Sequence, residues 1–148
     1  IWVDPIIMPV SVDQKAVVEA MEFTKMLQDL LPGVKSTVGL SNVSNQVPAE
    51  NRSLINSVYC VMLMGAGLDT MIADPLDKRL MEFIRIVEER DESTAVGRLL
   101  LKLHDAVANM EELQPEDVDF DDPEQVAIWK TVQILLNKVI YADSYLQI

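Results

Sequence analysis

Ser41, Asn42 and Ser44 close the tract Thr37-Val-Gly-Leu-Ser-Asn-Val-Ser44, where a short β-prone run from Ser36 to Leu40 gives way to small polar residues. At the carboxyl end of a strand these three present one amide and two hydroxyls. Asp4 and Asp74 end two comparable runs, Ile1-Trp-Val-Asp4-Pro5 and Leu68-Asp-Thr-Met-Ile-Ala-Asp74-Pro75, and Arg52 follows the Asn42 tract. The chemistry open to this set is recognition through hydrogen bonds. A carboxylate accepts adjacent N–H donors with both oxygens, and a neutral amide donates without introducing a full charge. Each residue also has a local reading. Asn42 can cap a turn, Asp4 can belong to an Asp-Pro turn, and Asp74 can cap the following helix. Ser41 and Ser44 can satisfy nearby backbone groups, and Arg52 can be a solvated loop residue.

Other chemistries lack residues. His104 is the single histidine and Cys60 the single cysteine, too few ligands for a zinc site of the usual type and too few partners for a Ser-His-Asp or Cys-His nucleophile. Both fall within helical patterns, where a core-edge histidine and a buried thiol are expected. Gly65-Ala-Gly67 is too short for a phosphate-binding loop. No metal site is expected.

The elements that must position the polar strand ends read as β-α-β-α-β. Ser11 opens a helix in a capping-box pattern with Gln14, and Ala16, Ala20, Phe23, Leu27, Leu30 and Leu31 form its apolar stripe before Pro32-Gly33. Asn45 to Arg52 reads as a loop. Leu54, Val58, Tyr59 and Met62 mark a second helix, Leu68 to Ala73 a third strand, and Asp74 or Asp77 the cap of a third helix with Leu80, Phe83, Ile84 and Val87. Strands alternating with helices imply an α/β fold with a parallel sheet, and ligands of such sheets bind beyond the carboxyl ends of the strands. From Asp91 onward the pattern is helical only. Val96, Leu99, Leu100, Leu103, Val107, Met110 and Leu113 lie on one stripe, and an acidic linker leads to a last helix with Asp122 as cap, Pro123 at its first position, and Trp129, Val132, Leu136, Val139 and Ile140 as its stripe.

Twenty-four acidic against 12 basic residues give a formal net charge of −12, which argues against a nucleic-acid partner because phosphate contacts rest on Lys and Arg. A lone cysteine suits a reducing cytoplasm. Without a basic leader or an uninterrupted apolar stretch of about 18 residues, the chain is expected to be soluble, cytoplasmic and free of membrane spans.

Asp4-Pro5, Gly39-Leu-Ser-Asn42-Val-Ser44, Asn51-Arg-Ser-Leu-Ile-Asn56 and Gly67-Leu-Asp69, in this order, resemble the last part of a pterin-binding (β/α)8 barrel. Within that superfamily the likeness is to the methyltetrahydrofolate:corrinoid/iron-sulfur protein methyltransferases. It resumes at Thr131-Val-Gln-Ile-Leu-Leu-Asn137 and Tyr141-Ala-Asp-Ser-Tyr145. A whole barrel takes roughly 250 residues. The resemblance therefore implies a partial TIM-type barrel plus C-terminal helices, with β/α units over 1–90, a helical insertion over 91–124 and a closing helix over 125–148. It implies methyl transfer from N5 of methyltetrahydrofolate to the cobalt of a corrinoid. Asn42 would support N5, Asp4 would bind the pterin, Arg52 would meet the folate tail, and Ser41, Ser44 and Asp74 would line the substrate. The Asp-x-His-x-x-Gly pattern of corrinoid-carrying domains is absent, so a separate corrinoid/iron-sulfur protein would bring the corrinoid. Missing strands would leave apolar surface for the rest of the barrel or a second copy, favouring a homo-oligomer. The rival expectation is an inactive assembly module of the same origin.

Overall fold

Three short strands form one parallel sheet in the computed structural model, which describes residues 1–148: β1 (Trp2–Val3), β2 (Lys35–Gly39) and β3 (Thr70–Ile72), in that spatial order. Parallel neighbours need crossovers. Helix α1 (Gln14–Leu30) connects β1 to β2, and α2 (Ala49–Gly65) connects β2 to β3. Then come α3 (Lys78–Glu89), α4 (Ala95–Ala108) and α5 (Pro123–Leu135). This is the α/β fold expected from the alternation, and its geometry is consistent with part of a barrel. None of its helices is long and apolar enough to cross a membrane.

Register divides the sheet into two unlike faces. Val3 pairs with Ser36 and Val38 with Met71, while Trp2 pairs with Lys35, Thr37 with Thr70, and Gly39 with Ile72. Side chains alternate along a strand and registered partners share a face. Ser36 and Val38 are buried and Met71 packs on the core, so that face carries the helices. On the other face Trp2 is 58% and Ile72 76% exposed, so no helix covers it.

Helix α2 is the centre of the core. From Leu54 to Leu63 all its residues but Asn56 are buried, and it packs against α1, α3, α4 and α5. An apolar surface on all sides marks a helix enclosed by others rather than one lying on a surface. Gly65 lets α4 approach closely: a Cβ there would stand 2.5 Å from the carbonyl oxygen of His104. Ion pairs from Arg85 to Asp91 (2.9 Å) and Arg90 to Asp105 (2.7 Å) brace the joint between α3 and α4. Hydrogen bonds from Ser93, with Arg85 adding to them, hold the Asp91 carboxyl down at about 2, and Arg90 does the same for Asp105.

Several local expectations are corrected. Asp13, not Ser11, caps α1, accepting from Ala16 N–H at 3.0 Å, because a turn on the Pro9 carbonyl delays the helix by two residues. Gln14 is not a capping partner; its amide donates to the carbonyls of Ile134 (2.9 Å) and Val139 (2.8 Å), tying α1 to the C-terminal segment. The buried stripe of α1 is Val17, Ala20, Thr24 and Leu27, with Phe23, Leu30 and Leu31 exposed. Thr24 can be buried because its hydroxyl donates to the Ala20 carbonyl. The segment from Asn45 to Arg52 is a loop only to Pro48, whose backbone caps α2. The closing helix ends at Leu135 instead of running through 125–148: Asn137 is left-handed (φ 56°), and Ile140 lies 87% exposed beyond it. Helix α4 likewise stops at Ala108, with Met110 left-handed and exposed.

Candidate functional site

The parallel register carries Asp4, Asn42 and Asp74 beyond the same, carboxyl, end of the sheet. Asp4 directly follows Val3, which pairs with Ser36; Asp74 comes two residues after Ile72, which pairs with Gly39. Parity along β1 assigns Asp4 to the same face as Trp2, the one without helices. Asp4 is exposed.

Asn42 sits in a 3-10 turn, Leu40–Ser44, that continues β2. The turn is anchored by its apolar members, Leu40 and Val43, both buried, which leaves Ser41 and Asn42 exposed between them. The Asn42 amide folds back over the sheet. Its Nδ2 is the atom nearest to where a Gly39 side chain would be, 3.4 Å away. Gly39 shares its face with Thr37 and Ile72, so the amide nitrogen lies at the rim of the helix-free face. The other end of the amide is engaged: Oδ1 accepts from Asn45 Nδ2 at 3.5 Å.

Ser44 and Arg52 hold this turn from the helix side. Ser44 is fully buried, its hydroxyl donating to the Ser41 carbonyl at 3.2 Å and accepting from Arg52 Nε at 3.1 Å. Arg52, in the first turns of α2, is half-buried and keeps its terminal guanidinium nitrogens free of protein partners. Asp74 closes a local turn, accepting from Leu76 N–H at 2.9 Å. Asp77 is the cap of α3, accepting from Leu80 N–H and from the Ser53 hydroxyl.

The opposite end of the sheet is built for stability. Asp69 accepts from Ser36 N–H (2.8 Å) and hydroxyl (3.2 Å) and pairs with Lys35, joining β2 to β3; these bonds hold its carboxyl below the ordinary range. His104 is half-buried on α4, bonded to Asp105 at 2.9 Å. Cys60 is buried against the sulfurs of Met71 (3.4 Å) and Met64 (3.9 Å), and burial pushes its thiol up to about 12.

Three contributors escaped the sequence reading. Asn45 touches Asn42, Val10 N–H donates to the Val43 carbonyl at 2.9 Å, and the Ser11 hydroxyl donates to the Asn45 carbonyl at 3.1 Å. The last two join the loop after Asp4 to the turn that bears Asn42. The three-residue spacing of Asn42 and Asn45 was the available signal for the first; nothing local announces the others.

Fold and rim together define an α/β protein whose exposed polar groups stand on loops beyond parallel strands. No family model matches the chain. It is similar to a methylcorrinoid:tetrahydrofolate methyltransferase of Eubacterium limosum, with 28% identity over 81 residues that make up 55% of this chain and 29% of that protein. The chain therefore covers less than a third of the length of that relative.

Proposed function

We propose that this chain supplies the N5 side of a folate site in a methyltransferase that moves a methyl group between N5 of tetrahydrofolate and the cobalt of a corrinoid carried by a separate protein. The observation that carries the reading is the Asn42 amide nitrogen at the rim of the helix-free face, the face to which Asp4 is also assigned. Asp4 leaves β1 level with Thr37, two residues short of Gly39, a stagger of about 7 Å along the strand. A two-ring pterin spans that distance, with its N3–H and 2-amino group toward the Asp4 carboxylate and N5 toward Asn42.

In transfer to cobalt, the carbon–nitrogen bond breaks, the methyl group goes to cobalt(I), and the electron pair of the bond stays on N5. Asn42 Nδ2–H donates to N5, a bond that strengthens as charge grows there and so acts mainly on the transition state. The name of the Eubacterium limosum relative gives the opposite direction, and by microscopic reversibility the same donor serves both. Arg52 reaches toward the acidic tail with its free nitrogens while Ser44, Ser41 and Asp74 shape the loops. The corrinoid/iron-sulfur class of partner, the cytoplasmic setting and the insertion at 91–124 belong to the same proposal.

The test uses the protein expressed from its complete gene. Asn42→Ala is expected to slow single-turnover methyl transfer by on the order of 10²-fold with little change in folate affinity, whereas Asp4→Ala is expected to weaken folate binding. An Asn42→Ala variant with unchanged rate and affinity sinks the reading. The exposed Trp2 and Ile72 on an uncovered sheet face would then favour the assembly-module reading instead.

A further inference from the structure

We infer that Asn45 is a positioning residue that sets which end of the Asn42 amide faces the ligand, an inference that rests on the role of Asn42 proposed above. A carboxamide has a donating and an accepting end of nearly equal size. At an exposed position nothing steric prevents it from turning over, and a flipped Asn42 would present an oxygen to N5 instead of an N–H. One contact selects the donating orientation: Asn45 Nδ2 donates to Asn42 Oδ1 at 3.5 Å, which leaves Asn42 Nδ2 over Gly39.

Asn45 is itself held in place. Its N–H donates to the Asn42 carbonyl at 3.2 Å, and its own carbonyl accepts the Ser11 hydroxyl at 3.1 Å. The neighbouring carbonyl of Val43 accepts from Val10 N–H. Both outside donors come from the loop that follows Asp4, so the segment that would bind the pterin also fixes the residue that orients the donor. Chemistry at position 45 thus decides the polarity of position 42: a side chain that donates keeps the N–H toward N5, and one that can only accept reverses it.

Three substitutions of exposed residue 45 test this in the complete protein. Asn45→Asp, a pure acceptor when ionised, is expected to turn the Asn42 amide over and slow single-turnover methyl transfer nearly as much as Asn42→Ala. Asn45→Gln, which keeps a donor, is expected to retain most of the rate. In the double variant Asn42→Ala with Asn45→Asp, the rate is expected to match Asn42→Ala alone, because residue 45 acts only through residue 42. Thermal melts and folate titration accompany each variant and are expected to stay near the parent values. If Asn42→Ala slows transfer but Asn45→Asp does not, or if the two losses multiply in the double variant, the positioning role is overturned while the Asn42 assignment stands. If Asn42→Ala itself has no effect, the reading beneath it fails first.

Discussion

Replacing Gly65 by Ala tests the packing of α4 on α2 without touching the rim. Helix propensity alone favours Ala by about 1 kcal/mol, so a purely local view expects stabilisation. The tertiary structure reverses the sign. The added carbon would lie 2.5 Å from the His104 carbonyl oxygen, 3.2 Å from its carbon and 3.1 Å from Val107 Cβ. Close C···O contacts settle at about 3.3 Å, so α4 must withdraw by roughly 0.8 Å, and a gap of that size forfeits about a quarter to a half of the contact attraction across the seam. The obstacle is backbone and cannot rotate away. With overpacking at about 1–3 kcal/mol set against the propensity gain, the expected net effect is a loss of up to about 2 kcal/mol, a drop in Tm of up to about 8 °C. Urea and thermal unfolding of the purified variant measure it. Gly67→Ala is the control, because φ is +93° there with nothing within 4 Å, so its cost is backbone strain alone. A Gly65→Ala protein stabilised by the full propensity gain of about 1 kcal/mol would refute the close approach of α2 and α4, and with it the enclosure of α2 by the C-terminal helices.

Gly39→Ala is expected to fold normally, since φ is −86° and the new methyl meets only the Asn42 amide at ordinary contact distance; covering the donor should slow methyl transfer more than it lowers Tm, and an unchanged rate would count against the placement of that amide. Asp69→Asn is expected to destabilise at neutral pH. The folded carboxyl lies below its ordinary 3.8, so its contribution is present above that value and lost as pH falls through the lower folded value; the gap between parent and variant in urea midpoint should therefore narrow below about pH 4, and a gap that stays constant would contradict the bonding to Ser36. Replacing Trp2 and Ile72 together by Ser should reduce self-association of the 148-residue chain in light scattering, because a parallel sheet is normally covered on both faces; a parent chain that is monomeric at high concentration would overturn that expectation.

The sequence by itself determined the order of elements. The polar ends of three apolar runs, the stop at Pro32-Gly33 and the cap at Asp122 are local chemistry, decided by each residue's own backbone and hydrogen-bonding preferences, and they were readable from the sequence, whereas the choice of Asp77 over Asp74 as the cap of α3 was made by the fold. The parallel sheet and the shared rim followed from strand-helix alternation. What local pattern could not supply was anything decided by neighbours distant in the chain. Ser11 and Gln14 look like a capping pair, yet Ser11 bonds Asn45 and Gln14 bonds Ile134 and Val139. Thr24 is buried where an apolar stripe would place Phe23, because its hydroxyl is satisfied within the helix. The C-terminal pattern runs on to Ile140, but a left-handed Asn137 ends the packed helix earlier. The site divides in the same way. Asn42 and Asp4 announce themselves by type and position at strand ends. The direction of the Asn42 amide, the burial of Ser44 and the grip of Arg52 on the turn depend on α2 and the β1–α1 loop meeting above β2, and only the folded chain brings those segments together.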